Sequence, residues 1–296
     1  MLASFPSDWT KIHTIVQKWQ NYTTKKSPDS ILIGSSHPAN LELYGTKDLP
    51  ELDIVVNFEL VPESPSGFYT AANFKKIITD YIKKLSKDNW PSWALTSWVH
   101  GRVGSNVDSK LARSLDALLL MLPGTPIVFY GDEIGMQNVN NPGNAAVDIN
   151  KAPMQWENST NAGFTSGKST WFGAVGNYEY TNAKDDQLDM RKMFTDAVKR
   201  RMENVSALLD GPLANFTVIA KGDVLAYTFV DKVPRFAVAI NFGKTEDTIN
   251  LIELLGAKSA TLNYHTADTK PGEISLDAVK VPPQALYLFN VTERMK

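Results

Sequence analysis

The chain has 296 residues, 43% of them hydrophobic and 21% charged, with a formal net charge of -2 at pH 7. That length suits one large or two ordinary globular domains with a sizeable core, and the near-balanced charge gives no bulk pull toward nucleic acid or anionic lipid. The lack of any cysteine excludes an internal disulfide framework and a zinc-thiolate site.

No run of about 18 apolar residues occurs, so no segment reads as membrane-spanning. The start, MLASFPSDWTKIH, has neither the positive nor the apolar region of a signal peptide. Ser7 is placed to cap a helix in which Trp9, Ile12, Ile15, Val16 and Trp19 share one face, expected to end near Asn21. Ile31 to Gly34 reads as a short buried strand, His37 to Leu49 as irregular, and Ile54 to Phe58 as a second apolar strand. Thr70 is a candidate cap for a helix carrying Phe74, Ile77, Ile78, Tyr81, Ile82 and Leu85 in register.

Trp93 to Val99 is a run of large apolar residues with little alternation, which suits a parallel strand covered on both faces. Asp108 then opens a helix with leucines at 111, 115, 118, 119 and 122, which stops before Pro123-Gly124. Thr125 to Tyr130 is another apolar, β-rich run. Strand, helix and strand at this spacing predict a βαβ unit and a parallel sheet.

Gln137 to Lys168, rich in Asn, Gly, Ser and Pro, reads as a long surface excursion. A helix from about Leu188 to Leu209 should turn Met193, Ala197, Met202 and Leu208 inward, leaving Lys199-Arg200-Arg201 on a solvated face. Asp210-Gly211-Pro212 marks a domain boundary. Beyond it, short strands at Phe216–Ala220, Val224–Val230, Phe236–Phe242, Asp247–Leu251, Ala260–Asn263 and Ala285–Phe289 fit a small antiparallel sandwich.

LLLMLPGTPIVFYGDEIGM, ending at Met136, resembles the last helix and strand of the catalytic barrel in the maltase branch of the α-amylase family of glycoside hydrolases. DIVVNFEL at Asp53 to Leu60, PMQWENSTNAGF at Pro153 to Phe164 and FAVAINFG at Phe236 to Gly243 support the resemblance in the family's order. It implies an α/β fold: the C-terminal half of a TIM-type (β/α)8 barrel over residues 1–209, followed by a small antiparallel β-sandwich domain over 210–296. Four parallel strands cannot close a barrel and leave two unpaired edges, so the chain is expected to be the C-terminal part of a longer protein.

Retaining glycosidases work with two carboxyl groups flanking the bond, and this family adds a third that steadies the sugar. Aligned on Trp93 and Arg102, the Asn-His-Asp of active members falls on Ser97, Trp98 and Val99, and Val99 can neither ionise nor donate. Where active members carry Gly-Glu, this chain has Gly34-Ser35, and a serine cannot protonate a glycosidic oxygen at neutral pH. The nucleophile strand is expected upstream of Met1.

With Ser35, Trp98 and Val99 as degenerate catalytic positions, the chain resembles the heavy subunits of heteromeric amino acid transporters. That resemblance implies a non-catalytic glycoprotein without cofactor or metal. It further implies a type II anchor upstream of this sequence, at the extracellular side of the plasma membrane. The implied partner is a multi-span light subunit, disulfide-linked upstream of this chain, with no role for nucleic acid. A maltase-like α-glucosidase and an inactive carbohydrate-binding paralogue stay open as alternatives.

Five Asn-X-Ser/Thr sequons, at Asn21, Asn158, Asn204, Asn215 and Asn290, are glycosylation candidates and a modest pointer to an extracellular face. Gly163 to Ser169 looks like a phosphate-binding loop, but only three residues separate its glycines and no strand leads in. His13, His37, His100 and His265 are scattered without ligand spacing. Asp132-Glu133 are adjacent, so their side chains diverge and suit structural hydrogen bonds, and Arg102 is expected to brace the loop ends. Of the tryptophans 93, 98, 156 and 171, which could stack on a sugar, Trp93 suits the core and Trp98 the pocket mouth.

Overall fold

The computed structural model describes residues 9–35, 51–85, 90–139, 149–170, 177–186, 189–209, 213–229, 235–267 and 269–291. Helix α1 (Trp9–Lys26) outruns its expected end at Asn21 by more than a turn; its predicted cap, Ser7, lies outside the described residues. Strand β1 (Ile33–Ser35) pairs in parallel with β2 (Ile54–Val56), Ile33 facing Ile54 and Ser35 facing Val56. The expectation of a buried strand at Ile31 to Gly34 is corrected: Ile31 and Ile33 are exposed. Ile12, Ile15, Trp19 and Tyr22 of α1 are exposed as well, and among the described side chains of the predicted face only Val16 is buried. Nothing among the described residues covers that side.

Helix α2 (Ala71–Lys84) begins where the Thr70 hydroxyl accepts the amide of Asn73 at 3.2 Å, and it buries Phe74, Ile78 and Tyr81. Strand β3 (Ser92–Ala94) is far shorter than Trp93 to Val99 suggested. Its Ser92 hydroxyl donates to the carbonyl of Val55 and accepts the amide of Asn57, and the Ala94 amide donates to Asn57. With its polar atoms spent on β2, the chain leaves the ladder after Ala94, and Trp98 and Val99 lie in bends. The tightness of the strand ends is visible at Gly124, φ +85°, where an added Cβ would stand 2.1 Å from the carbonyl of Pro91.

One turn, α3 (Val103–Asn106), precedes α4 (Ser109–Met121), whose cap is the Asp108 carboxylate accepting the Leu111 amide at 3.1 Å. From Leu111 onward nearly every α4 residue is buried, so this helix is enclosed on all sides. Strand β4 (Thr125–Ile127) runs parallel to β3 and stays half-buried along its outer edge. The expected helix over Leu188 to Leu209 is broken into α5 (Met190–Glu203) and α6 (Val205–Leu209), with Asn204 returning its side chain to the carbonyl of Arg200 at 2.8 Å.

Two expectations for that segment are corrected. Met202 is exposed rather than inward. Arg201 is not on a solvated face: its guanidinium donates to the carbonyls of Leu120 (2.5 Å), Leu122 (3.2 Å) and Gly124, closing the C-terminus of α4. Lys199 and Arg200 do form exposed pairs, with Asp196 and Glu203. The predicted boundary residues 210–212 lie outside the described residues.

The remaining strands are β5 (Phe216–Lys221), β6 (Val224–Phe229), β7 (Arg235–Asn241), β8 (Asp247–Ile249), β9 (Ser259–His265), β10 (Gly272–Ser275), β11 (Val279–Val281) and β12 (Leu286–Val291), with one helical turn, α7 (Ile252–Leu255), after β8. They form an antiparallel sheet in the order β10-β9-β12-β7-β6-β5 and a separate antiparallel pair, β8 with β11. One face of the sheet, with Leu225, Tyr227, Phe236, Val238, Ile240 and Leu288, joins the core built on α2 and α4. The other, with Ala226, Ala239, Leu262 and Phe289, packs on Ile249, Leu255, Val279 and Val281. Both faces are covered, so β6, β7 and β12 read as continuous apolar runs instead of alternating.

Candidate functional site

The segments that follow β3 and β4 meet around Arg102, which is fully buried. Its Nη1 donates to the carbonyl of Tyr130 at 2.6 Å and lies 3.5 Å from Asp132 Oδ1, and its Nε donates to the carbonyl of Asn150 at 3.2 Å. The guanidinium stands 4.8 Å from the ring centroid of Phe129 and 4.6 Å from that of Tyr130. One side chain thus ties the loop after β3 to the end of β4 and to the 149–170 segment. The bracing role expected for Arg102 is what its contacts describe.

Asp132 is buried beside it, in a 3-10 turn Asp132–Ile134 that opens from Gly131 at φ +88°. Burial pushes its carboxyl up to about 7, against the lowering pull of Arg102 and of a hydrogen bond from Thr96. Glu133 points elsewhere: its Oε2 accepts the amide of Gly131 at 2.7 Å. The two adjacent acids therefore diverge and serve their own turn. Asp116, on the buried side of α4, is also raised, first by burial and then by the charges of Asp132 and Glu133.

Val99 and Trp98 lie on an exposed loop, Val99 being 60% and Trp98 45% accessible. The Ser97 hydroxyl accepts the amides of Val99 (3.1 Å) and His100 (2.8 Å), and the Asn150 amide donates to the carbonyls of Ser97 and His100. Trp98 rests edge-on against Phe58 with ring centroids 5.2 Å apart. Ser35, at the end of β1, is exposed. None of the hydroxyl, indole and isopropyl groups at Ser35, Trp98 and Val99 can act as a carboxylic acid or a carboxylate near neutral pH.

Asn150 and Asn138, which fix this loop, escaped sequence reasoning. Asn138 accepts the Arg102 amide at 2.8 Å across 36 residues, a separation that no local pattern encodes. The same holds for His13, whose Nδ1 lies 2.6 Å from the buried Glu51, itself held by Gln17. The 137–168 segment is not wholly a surface excursion either, because Asn150, Ala152 and Gln155 are buried.

In the glycine-rich stretch, Thr165 and Asn161 satisfy the loop internally, Asn161 Nδ2 donating to the carbonyl of Gly167 at 2.7 Å. No strand leads into it. Among the described residues no group of three or more His, Asp or Glu is placed to hold a metal. Trp93 is fully buried and donates to the carbonyl of Pro123, Trp156 is exposed, and Trp171 and His37 lie outside the described residues. Of the sequons, Asn21 and Asn158 are exposed, whereas Asn204, Asn215 and Asn290 are partly buried.

The family described as "Alpha amylase, catalytic domain" matches residues 3–210. The chain belongs to the α-amylase family. It is 30% identical over 226 residues to "Amino acid transporter heavy chain SLC3A1" of Rattus norvegicus, covering 72% of this chain and 32% of that protein. The Homo sapiens heavy chain of the same name is 31% identical over 244 residues, covering 76% of this chain and 34% of the relative. "Salivary alpha-glucosidase" of Aedes aegypti is 25% identical over 240 residues, 74% of this chain and 41% of that one.

The fold matches a solved trehalose-6-phosphate hydrolase from Bacillus licheniformis with a TM-score of 0.78 at 20% identity, covering 96% of this chain and 60% of the enzyme. The α-amylase-type fold is thus shown, and the expected relationship to both maltase-like enzymes and transporter heavy chains stands. The chain spans about a third of the length of the heavy chains it matches.

Proposed function

We propose that this chain is the C-terminal part of the ectodomain of a non-catalytic heavy subunit of a heteromeric amino acid transporter. In this reading residues 1–209 complete a (β/α)8 barrel with upstream sequence, and residues 210–296 form a small antiparallel β-sandwich domain. The observation that carries it is the stronger similarity to transporter heavy chains, 30–31% identity against 25–26% for the insect α-glucosidases. The side chains at Ser35, Trp98 and Val99, read as degenerate catalytic positions, agree with it. The subunit supports folding, stability and surface delivery of a multi-span light subunit to which it is disulfide-linked upstream of this chain. Its place is the extracellular side of the plasma membrane, anchored by a single type II span. No helix among the described residues is long and apolar enough to cross a membrane.

Native membranes blotted with an antibody to residues 235–291, with and without reductant, test the linkage. A heavy band that loses mass on reduction is expected; a single band near 32.8 kDa in both lanes contradicts the reading.

A second reading, a maltase-like α-glucosidase or an inactive carbohydrate-binding paralogue, draws on the similarity to the mosquito enzyme. Hydrolysis of an aryl α-glucoside by the purified full-length protein favours the enzyme. Saturable binding of maltose at Trp98 without turnover favours the paralogue.

A further inference from the structure

A cleft of about 600 Å³ lies between α4, α5 and the rim of the C-terminal sheet, and none of its lining residues belongs to the loops around Arg102. Lys110 and Arg113 line it from α4, and Asp189, Lys192, Asp196 and Arg200 from the start and body of α5. Two further carboxylates engage its walls, Asp108 through Gln284 and Glu203 through Arg200. Cations and carboxylates therefore balance. A wall that presents both signs without a surplus complements a ligand carrying both signs better than a lone anion or cation.

Most of these groups are already committed. Arg200 meets Glu203 at 2.7 Å, Asp196 meets Lys199 at 3.4 Å, and the Asp108 carboxylate accepts the amides of Gln284 at 2.5 Å and Leu111 at 3.1 Å. Asp189 and Lys192 are not. Both are exposed, and neither side chain has an ion pair or hydrogen bond among the described residues. An acid just before a helix ordinarily caps it, but here Asp186 does so, its two oxygens accepting the amides of Arg191 at 3.0 Å and Lys192 at 2.8 Å. Asp189 itself is left-handed, with φ +52°, and makes no cap bond. Lys192 follows three residues on, a spacing that allows an ion pair in a regular helix, yet the two do not pair across the left-handed turn. Opposite charges are thus left side by side on one wall of the cleft, with Lys110, also exposed and unpaired among the described residues, on the α4 wall.

The rest of the wall is apolar and fixed. Met193, Ala267, Pro271, Pro282 and Pro283 line it, and the prolines lose little freedom when a ligand settles. Behind them Tyr264 donates to the carbonyl of Met193 at 3.1 Å, and the Gln284 carbonyl accepts the Ser114 hydroxyl at 2.6 Å.

We infer that this cleft binds a free α-amino acid with a large apolar side chain, Asp189 taking its ammonium, Lys192 its carboxylate and the proline wall its side chain. An α-amino acid carries its two charges on one carbon, as a pair of opposite charges within one turn requires. The volume lies within the roughly 300–1,000 Å³ usual for small-molecule sites. The inference stands apart from the transporter reading: unchanged uptake in cells leaves it intact, and a flat titration leaves that reading intact.

Calorimetric titration of the purified full-length protein, without a light subunit, with L-phenylalanine tests it. Saturation at one site with a Kd on the order of 1 mM is expected. N-acetyl-L-phenylalanine, which lacks the ammonium, and L-phenylalaninamide, which lacks the carboxylate, should each bind about tenfold more weakly. Asp189→Asn should weaken L-phenylalanine about tenfold and leave the acetyl compound unchanged, whereas Lys192→Gln should weaken it equally and leave the amide unchanged. Both positions are exposed and asparagine tolerates a left-handed backbone, so the variants retain the fold; the comparison of the three ligands is read on the unaltered chain. Lys280→Gln, in an exposed pair with Glu246 at 3.6 Å outside the cleft, should bind like the wild type. Absence of saturation at concentrations on the order of 20 mM, equal binding of the three ligands, or variants that bind L-phenylalanine like the wild type overturn the assignment.

Discussion

Arg102 is buried with three loop segments hanging on its guanidinium, and it is the residue whose loss should cost most. Arg102→Met leaves the carbonyls of Tyr130 and Asn150 without donors and Asp132 without its counter-charge. We expect a loss of about 3–5 kcal/mol, read as a lower urea midpoint; a change within the scatter of surface variants would mean that the loops hold themselves. Asp132 sets a pH dependence. Its carboxyl rises from 3.8 to about 7 through burial, so the folded chain holds this proton more tightly than the unfolded one. The associated stability is complete below 3.8 and is lost as pH rises through about 7. Asp132→Asn should therefore lose less stability than the wild type as pH rises from 3.8 to about 7, and parallel losses would place the titration on another group. The sequons sort by exposure: Asn21→Gln and Asn158→Gln should each shift the mass of the secreted or surface protein by one glycan. Asn290, whose Oδ1 is buried within β12, should stay unmodified. A glycan found on Asn290 would contradict the packing of that strand. Little of this was legible in the sequence. Arg102 and the diverging acids could be read from neighbouring positions, but Asn138, Asn150 and Glu51 act across 30 to 50 residues and leave no local signal.

Helix α4 supplies much of the core that it shares with α2 and one face of the C-terminal sheet. Leu115 is fully buried, and Leu115→Ala should cost about 2–5 kcal/mol because the surrounding helix and sheet cannot collapse into the gap. Ser114 points the other way, bonding Thr266 Oγ1 and the carbonyl of Gln284, both at 2.6 Å. Ser114→Ala strands a buried acceptor, the Gln284 carbonyl, and the Thr266 hydroxyl that donates to Ser114, and a loss of about 1–3 kcal/mol in chemical denaturation is expected. A neutral substitution would show that α4 and the C-terminal sheet are held together by apolar packing alone. Helices α2 and α4 were readable nearly to the residue, because a capping side chain and leucine spacing both act within one or two turns. The parallel strands were not. Trp93 to Val99 is mostly apolar, yet pairing stops at Ala94, a consequence of Ser92 and Asn57 binding across β2 and β3. Strands β10 and β11 escaped because four and three residues with lysine, glutamate and glycine carry no periodic signal. The amphipathic face of α1 was visible in the sequence, but its exposure depends on what lies beside it.

At the scale of the molecule, two features bear on function together. The fold is that of the α-amylase family, while the strand ends present Ser35, Trp98 and Val99. Ile12, Ile15, Trp19 and Tyr22 on α1 and Ile31 and Ile33 at β1 are exposed, and β4 is half-buried, which is what the proposed barrel completed by further strands would cover. The most direct measurement is radiolabelled amino acid uptake and surface biotinylation in cells that express a light subunit with or without the full-length protein. The account expects both signals to rise severalfold on co-expression, with no release of glucose from an aryl α-glucoside by the same cells. Unchanged uptake and surface delivery, or glucoside hydrolysis above background, would contradict it.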